Sequence, residues 1–176
     1  MSSLTPRIDN LDKNIIINGN LDIWQRGTSL VSTTAGYLAD RFSYNSDAIA
    51  ADMSRQSDVP ITTSPLSTYC LQVNKAAAQA VSTNQVSYIK HDIEGYNLAR
   101  VKNQKITVSF WVKSTKTGIY CFTMKDSILA ASYIKEYTIN VANTWERKIF
   151  TIQLSDAIGT WNYTNGLGLR MAWMLQ

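Results

Sequence analysis

The sequence contains very few of the residues on which most catalytic and metal sites depend. It has one histidine, His91, and two cysteines, Cys70 and Cys121, whose spacing matches no metal-binding or redox motif. A Ser-His-Asp triad or a multi-histidine site would have to be built around that single imidazole, which shares a strand face with Ile89 and Ile93. We therefore expect a satisfied, partly buried histidine and a chain that is not an enzyme. The two cysteines are either small buried apolar residues or a disulfide.

Charged side chains are also scarce, at 17% of the chain, against about 25% in an average globular protein. The net charge is +4, but the lysines and arginines are scattered, which argues against nucleic acid as a partner. No apolar run approaches the ~20 residues of a membrane-spanning helix, so we expect no membrane insertion. The first residues, 1–7, do not form a secretion signal, so synthesis in a cytoplasm is expected.

What the chain does contain is a series of short apolar runs with a period of two residues, separated by Gly, Asn, Ser and Thr. The clearest are 105–113, 118–125, 145–154 and 167–175. This pattern predicts an all-β fold, an antiparallel β-sandwich with one half-polar face on each sheet. The predicted core residues are Ile106, Val108, Phe110, Val112, Phe150, Ile152, Leu169, Met171 and Trp173.

The organisation predicted from these runs is simple. Residues 1–13 are polar and aperiodic and form an N-terminal arm, which we expect to become ordered against a partner protein or a neighbouring subunit. Residues 14–176 form one sandwich domain, with short helical turns expected at most at 75–81 and 127–131. The strand 167–175 is predicted to lie at an uncovered edge and to lack a final partner strand, so more chain or another copy should cover it.

Five blocks in order resemble the jelly-roll domains of bacteriophage tail fibres and head fibres. They are residues 14–27 (NIIINGNLDIWQRG), 36–42 (GYLADRF), 93–95 with 108–113 (VSFWVK after IEG), 143–146 (NTWE), and 159–161 with 165–166. The family is itself similar to the carbohydrate-binding modules of xylanases. Here Phe42 replaces the family's more familiar tryptophan.

The resemblance implies a fold and a function. The fold is a jelly roll, and the function is that of a non-enzymatic module of the virion, in a tail fibre, head fibre or capsid decoration, that mediates assembly or attachment to the host surface. The alternative is a carbohydrate-binding module that recognises a polysaccharide through exposed aromatics. The expected partners are other virion proteins, a host surface glycan and further copies of the chain, with a homotrimer favoured.

Candidate site residues follow from the strand faces. Trp111 lies on the polar face of its strand and is the best candidate for stacking on a sugar ring, with Tyr88, Thr107 and Arg170 as companions. Packing of Trp111 against a loop or another subunit is the competing interpretation.

A structural motif is predicted in the first block and the second. Asn18-Gly19 is expected to form a turn with positive φ, and Asp40-Arg41 a charge-assisted pair. No cofactor is expected. Related glycan-binding modules hold a structural calcium near the acidic residue of the first strand, here Asp22, although calcium needs several further oxygen ligands.

Overall fold

The computed structural model describes residues 14–47, 49–60, 67–75, 82–83, 85–155 and 159–175. The predicted arm, 1–13, lies outside the described residues. So does the predicted helical turn at 75–81, except for Lys75. The described residues form the strands β1 (Ser29–Thr33), β2 (Ala35–Tyr37), β3 (Phe42–Ser46), β4 (Ala51–Gln56), β5 (Cys70–Asn74), β6 (Ser87–Glu94), β7 (Lys105–Val112), β8 (Gly118–Lys125), β9 (Ser132–Ile139), β10 (Glu146–Gln153) and β11 (Leu167–Met174). One helical turn, α1 (Gly95–Leu98), and a 3₁₀ turn, Ala99–Val101, follow β6.

All strand pairs are antiparallel, and they form two layers. One layer is a six-stranded sheet in the order β2-β3-β6-β11-β8-β9. The other layer consists of a three-stranded sheet, β1-β4-β5, and a two-stranded sheet, β10-β7. The predicted all-β antiparallel sandwich is therefore confirmed.

The core lies between the six-stranded sheet and the two smaller ones. From β7, the Phe110 ring reaches across to Phe122 on β8 and Trp173 on β11, with ring centroids 6.0 and 5.8 Å apart. A second cluster joins Tyr44 of β3 to Met53 of β4. Each predicted core residue is buried or packed against the first cluster, so period-two alternation identified the inward faces correctly.

The position of β11 corrects the prediction of an uncovered apolar edge at 167–175. Leu169 to Met174 pair with β6 on one side, and Arg170 to Trp173 pair with β8 on the other. The strand is central, and its apolar inward residues are covered because the sheet continues on both sides of it. The predicted helical turn at 127–131 is a non-helical connection between β8 and β9.

Asp126 organises the connection that follows β8. Its carboxylate is 2% exposed and accepts hydrogen bonds from the backbone N–H groups of Ala130, Ala131 and Thr160, at 2.9, 3.1 and 3.0 Å. The first two bonds close the turn into β9, and the third ties this turn to the loop that precedes β11. One buried side chain thus joins two connections that are more than 30 residues apart in sequence.

The free edge of β9 is occupied by two charged side chains of β10. Lys148 donates to the carbonyl of Thr138, and Glu146 accepts from the N–H groups of Asn140 and Val141, at 2.7 and 2.9 Å. Lys148 also binds Glu146 at 2.6 Å. The pKa of Glu146 is lowered to about 2; the hydrogen bond from Lys148 contributes most to this shift, and that from the Val141 N–H contributes next. We call Lys148 and Glu146 the β9 edge clamp.

His91 is more deeply buried than predicted, and its Nδ1 has no hydrogen-bond partner among the described residues. It is 0% exposed on the inward face of β6, and its ring lies edge-on to Phe42 with centroids 4.9 Å apart. Nε2 lies 3.0 Å from the carbonyl oxygen of Ile17, so the neutral ring donates its proton there. Burial lowers the pKa of His91 below its ordinary value, and Arg41 adds to that shift, against the opposing effects of the Ile17 carbonyl and Asp92.

The two cysteines are free thiols. Of the two alternatives that the sequence left open, the disulfide is therefore excluded. Burial raises the pKa of both thiols, so neither is an activated nucleophile. Sγ of Cys70 donates to the carbonyl of Asp58 at 3.2 Å.

Replacing Asp126 should destabilise the domain strongly. Asp126→Ala leaves buried N–H groups without their acceptor and should lower the free energy of unfolding by about 3 kcal/mol. Asp126→Asn keeps one side-chain oxygen and should fall between the wild type and the alanine variant. Urea denaturation measures the free energy of unfolding of the wild type and of both variants. Glu136→Ala, at an exposed position on β9, is the control and should change stability by less than about 0.5 kcal/mol. Equal effects at both positions would contradict the assigned role.

His91 should make the domain less stable in mild acid. Because its pKa is lowered in the folded state, the unfolded chain takes up a proton first as the pH falls below about 6.5. Stability is then lost at up to about 1.4 kcal/mol per pH unit until the folded-state pKa is reached. Since this is the only histidine, its ring resonances in NMR spectra report the folded-state pKa directly. A folded-state pKa of about 6.5 or higher would refute the prediction.

Candidate functional site

The outer face of the six-stranded sheet carries an ordered array of polar and aromatic side chains. On β6, Tyr88, Lys90 and Asp92 alternate with inward residues such as His91. Asp92 lies opposite Arg170 of β11. On the other side of β6, Lys90 lies opposite Ser43 of β3. Ser43 lies opposite Tyr37 at the end of β2. We call this surface, defined by Tyr37, Tyr88, Lys90, Asp92 and Arg170, the tyrosine–arginine face.

A bidentate ion pair lies at the centre of this face. Nε and Nη2 of Arg170 donate to the two carboxylate oxygens of Asp92 at 2.7 and 2.9 Å, and Lys90 adds a contact at 3.5 Å. Burial opposes ionisation of Asp92, but the hydrogen bonds from Arg170 outweigh it and hold its pKa below the usual range. The pair fixes both side chains in one geometry.

The two tyrosines lie beside this pair. The hydrogen bonds to Asp92 raise the pKa of Arg170, burial opposes the rise, and the phenol groups of Tyr88 and Tyr37 add smaller electrostatic contributions in its favour. Tyr37 and Asp92 line one depression of the surface, and Tyr88 shares the outward face of β6 with Asp92. Tyr37 is 44% exposed, so its ring is accessible to a ligand.

A depression of about 320 Å³ lies at the β2 edge of the face. It is lined by Arg26, Tyr37, Asp40, Arg41 and Asp92. Arg26 lies over the Tyr37 ring, with its guanidinium carbon 5.2 Å from the ring centroid. The volume is at the lower end of the range for small-molecule sites, about 300–1,000 Å³. We call this the β2-edge depression.

Asn18 and Asp40 hold the loop that carries Arg26. The Asn18 side chain accepts from the N–H of Ile23 at 3.0 Å and donates to the carbonyls of Ile23 and Asp40 at 3.0 and 2.9 Å. The Asp40 carboxylate accepts from the N–H of Gln25 at 3.1 Å. These bonds fix residues 23–25 against the turn before β3, which places Arg26 beside Tyr37.

The predicted Asp40–Arg41 pair is wrong. Arg41 instead binds Glu94 at 3.0 Å and donates to the carbonyl of Asp92 at 3.0 Å, while Asp40 turns to Gln25. The physical reason is the left-handed backbone of Arg41, with φ of 74°, at the point where the chain turns into β3. The predicted positive φ in the first block falls on Asn18, at 58°, and not on Gly19.

The four predicted binding residues lie on opposite sides of the sandwich. Tyr88 and Arg170 belong to the tyrosine–arginine face. Trp111 and Thr107 lie on the outward face of β7, since Phe110 between them points into the core. Trp111 is 36% exposed. This second surface, which we call the β7–β10 outer face, comprises Thr107, Trp111, Arg147, Ile149 and Thr151. The structure therefore does not bring the predicted residues together in one site.

Sequence reasoning missed Arg26, Tyr37 and Asp92. A signal for Asp92 was present, because a strand that turns His91 inward must turn Asp92 outward, beside Arg170 once the two strands pair. No comparable pattern indicated Arg26, whose position depends on loop contacts across 15 and more residues.

The predicted calcium position at Asp22 is an exposed carboxylate that accepts from the N–H of Thr68 at 3.5 Å. Among the described residues, no group of three or more His, Cys, Asp and Glu side chains is arranged to hold a metal ion. Within the same residues, no helix has the length and apolar character needed to cross a membrane.

Comparisons with known proteins give one similar structure to report. The sequence matches no family profile and no curated protein. Among solved structures, the chain is similar to the enzymatically active domain of tailspike protein 4 of bacteriophage CBA120, with a TM-score of 0.47 and 12% sequence identity. The match covers 92% of this chain and 19% of the tailspike chain.

This comparison corrects one expectation. The prediction that the chain is not an enzyme is contradicted, because the similar tailspike domain is an enzymatically active one, and we withdraw it. At this degree of likeness, no residue of the chain acquires a catalytic role from the tailspike. The jelly-roll connections and the likeness to xylanase modules stay predictions.

Proposed function

We propose that the chain is a module of a bacteriophage virion that attaches the particle to polysaccharide on the host surface through the tyrosine–arginine face. The observation that supports this most directly is the exposed ring of Tyr37 beside the fixed Asp92–Arg170 pair. The virion setting rests on the five sequence blocks that resemble phage fibre domains.

Sugar rings present two kinds of surface, and the tyrosine–arginine face offers a complement to each. Their C–H faces pack on aromatic rings such as those of Tyr37 and Tyr88. Their hydroxyls exchange hydrogen bonds with charged groups held in place, as Lys90, Asp92 and Arg170 are by their mutual contacts. Because these groups project from strands of the central sheet, the site is rigid before ligand arrives, which reduces the entropy lost on binding.

A second candidate function, assembly with another copy of the chain, is favoured by the β7–β10 outer face. Trp111 and Ile149 are 36% and 57% exposed there, and Arg147 lies opposite Trp111 in the strand register. Tryptophan and arginine are common anchors at protein interfaces. The family resemblance still leads us to expect a homotrimer. The uncovered edge at 167–175, which also suggested assembly, no longer supports it.

Removing either tyrosine should weaken attachment. We expect Tyr37→Ala and Tyr88→Ala each to reduce affinity for host surface polysaccharide about fivefold, since an aromatic contact contributes about 1 kcal/mol. Calorimetric titration of purified polysaccharide into the protein measures this. Tyr96→Ala removes a tyrosine that is 67% exposed on α1 and should leave affinity unchanged. Unaltered binding in both test variants would refute the proposed face.

Trp111→Ala separates the two functions. If the β7–β10 outer face joins copies of the chain, this variant should be a monomer by light scattering under conditions in which the wild type is a trimer. Its polysaccharide affinity per chain should be retained, and its stability should fall far less than the ~3 to 5 kcal/mol lost when a core tryptophan is removed. A wild type that remains monomeric at high concentration would exclude this interface.

A further inference from the structure

The β2-edge depression contains a cation that the protein itself does not neutralise. Within the described part of the chain, the contact of the Arg26 side chain is with the Tyr37 ring, and no hydrogen bond or ion pair to it is present. The side chain is exposed. Its N–H donors are therefore available to a ligand, while the aromatic ring restricts where the guanidinium can lie.

The other charged groups around the depression are already engaged. Both carboxylate oxygens of Asp92 accept from Arg170, and one oxygen of Asp40 accepts from the Gln25 N–H. Arg41 is paired with Glu94. Arg26 and Asp40 are thus the two charges here without an oppositely charged partner among the described residues, and of the two only Arg26 offers N–H donors to a ligand.

We propose that the β2-edge depression is a subsite for an acidic sugar residue, in which Tyr37 packs on the ring and Arg26 binds the carboxylate. This inference rests on the proposed attachment to polysaccharide and specifies its ligand class as anionic polysaccharide. A guanidinium matches a carboxylate through two parallel N–H···O bonds, a geometry that lysine cannot reproduce.

The alternatives fit the arrangement less well. A neutral sugar would leave Arg26 without a counterion and would gain little from it. A cationic group would find both oxygens of Asp92 accepting from Arg170 and one oxygen of Asp40 accepting from Gln25, and it would be repelled by Arg26 and Arg41. The mixed charge around a small depression also favours one carboxylate on a sugar ring over a densely charged polymer such as nucleic acid.

The test uses three acidic polysaccharides, polygalacturonate, alginate and xanthan, each beside its carboxyl-reduced form, which keeps the sugar backbone and replaces the carboxylate by a hydroxymethyl group. Affinities are measured by calorimetry for the wild type, Arg26→Gln, Arg26→Lys and Tyr37→Ala. Arg100→Gln, at an exposed position of the 3₁₀ turn after α1 and outside the lining of the depression, removes the same charge and serves as the control.

We expect the wild type to bind at least one acidic polymer about tenfold or more tightly than its reduced form, with affinity that falls as salt is raised. Arg26→Gln should abolish this preference, Arg26→Lys should restore only part of it, and Arg100→Gln should retain it. Equal binding of acidic and reduced polymers, with loss only in Tyr37→Ala, would overturn the acidic subsite and leave the attachment face standing. Binding to none of the six polymers would overturn both.

Discussion

The pairing of β11 between β6 and β8 is the constraint on which the rest of the structure depends. Its inward residues, Leu169, Met171 and Trp173, join the main core cluster. Its outward residue Arg170 holds Asp92 through two hydrogen bonds. Because inward and outward residues alternate along one strand, a single strand connects the stability of the sandwich to the geometry of its candidate binding face. A shift of β11 by one residue would turn Arg170 inward and lose both.

Much of the fold could be predicted from local pattern, and the reasons are physical. A strand with one buried face must alternate, so Val108, Phe110 and Ile152 were recognisable as inward residues without knowledge of their partners. Strand order is not local information. The apolar run 167–175 has the same composition at a sheet edge as at its centre, and only pairing across more than 70 residues, as between Met171 and His91, distinguishes them.

The candidate site was partly predictable for the same reason. Alternation placed Trp111 and Arg170 each on the outward face of its own strand, but it could not show that their sheets face opposite directions. The residues around the β2-edge depression depend on loop geometry, in which Asn18 reaches Asp40 over 22 residues and Arg41 adopts a positive φ. The sequence blocks at 14–27 and 36–42 marked these segments as important without indicating that they meet.

The β9 edge clamp has a consequence for how the domain meets other copies of itself. An open edge strand on one copy can pair with an edge strand on another copy and extend the sheet between them. Lys148 binds the carbonyl of Thr138 on β9, and Glu146 binds the N–H groups of Asn140 and Val141 just after β9. A strand pairing with this edge would need the same backbone groups. Since the pKa of Glu146 is about 2, its carboxylate keeps its charge in strongly acidic surroundings. The clamp would therefore keep the β9 edge blocked in acidic surroundings where carboxylates with ordinary pKa values become protonated.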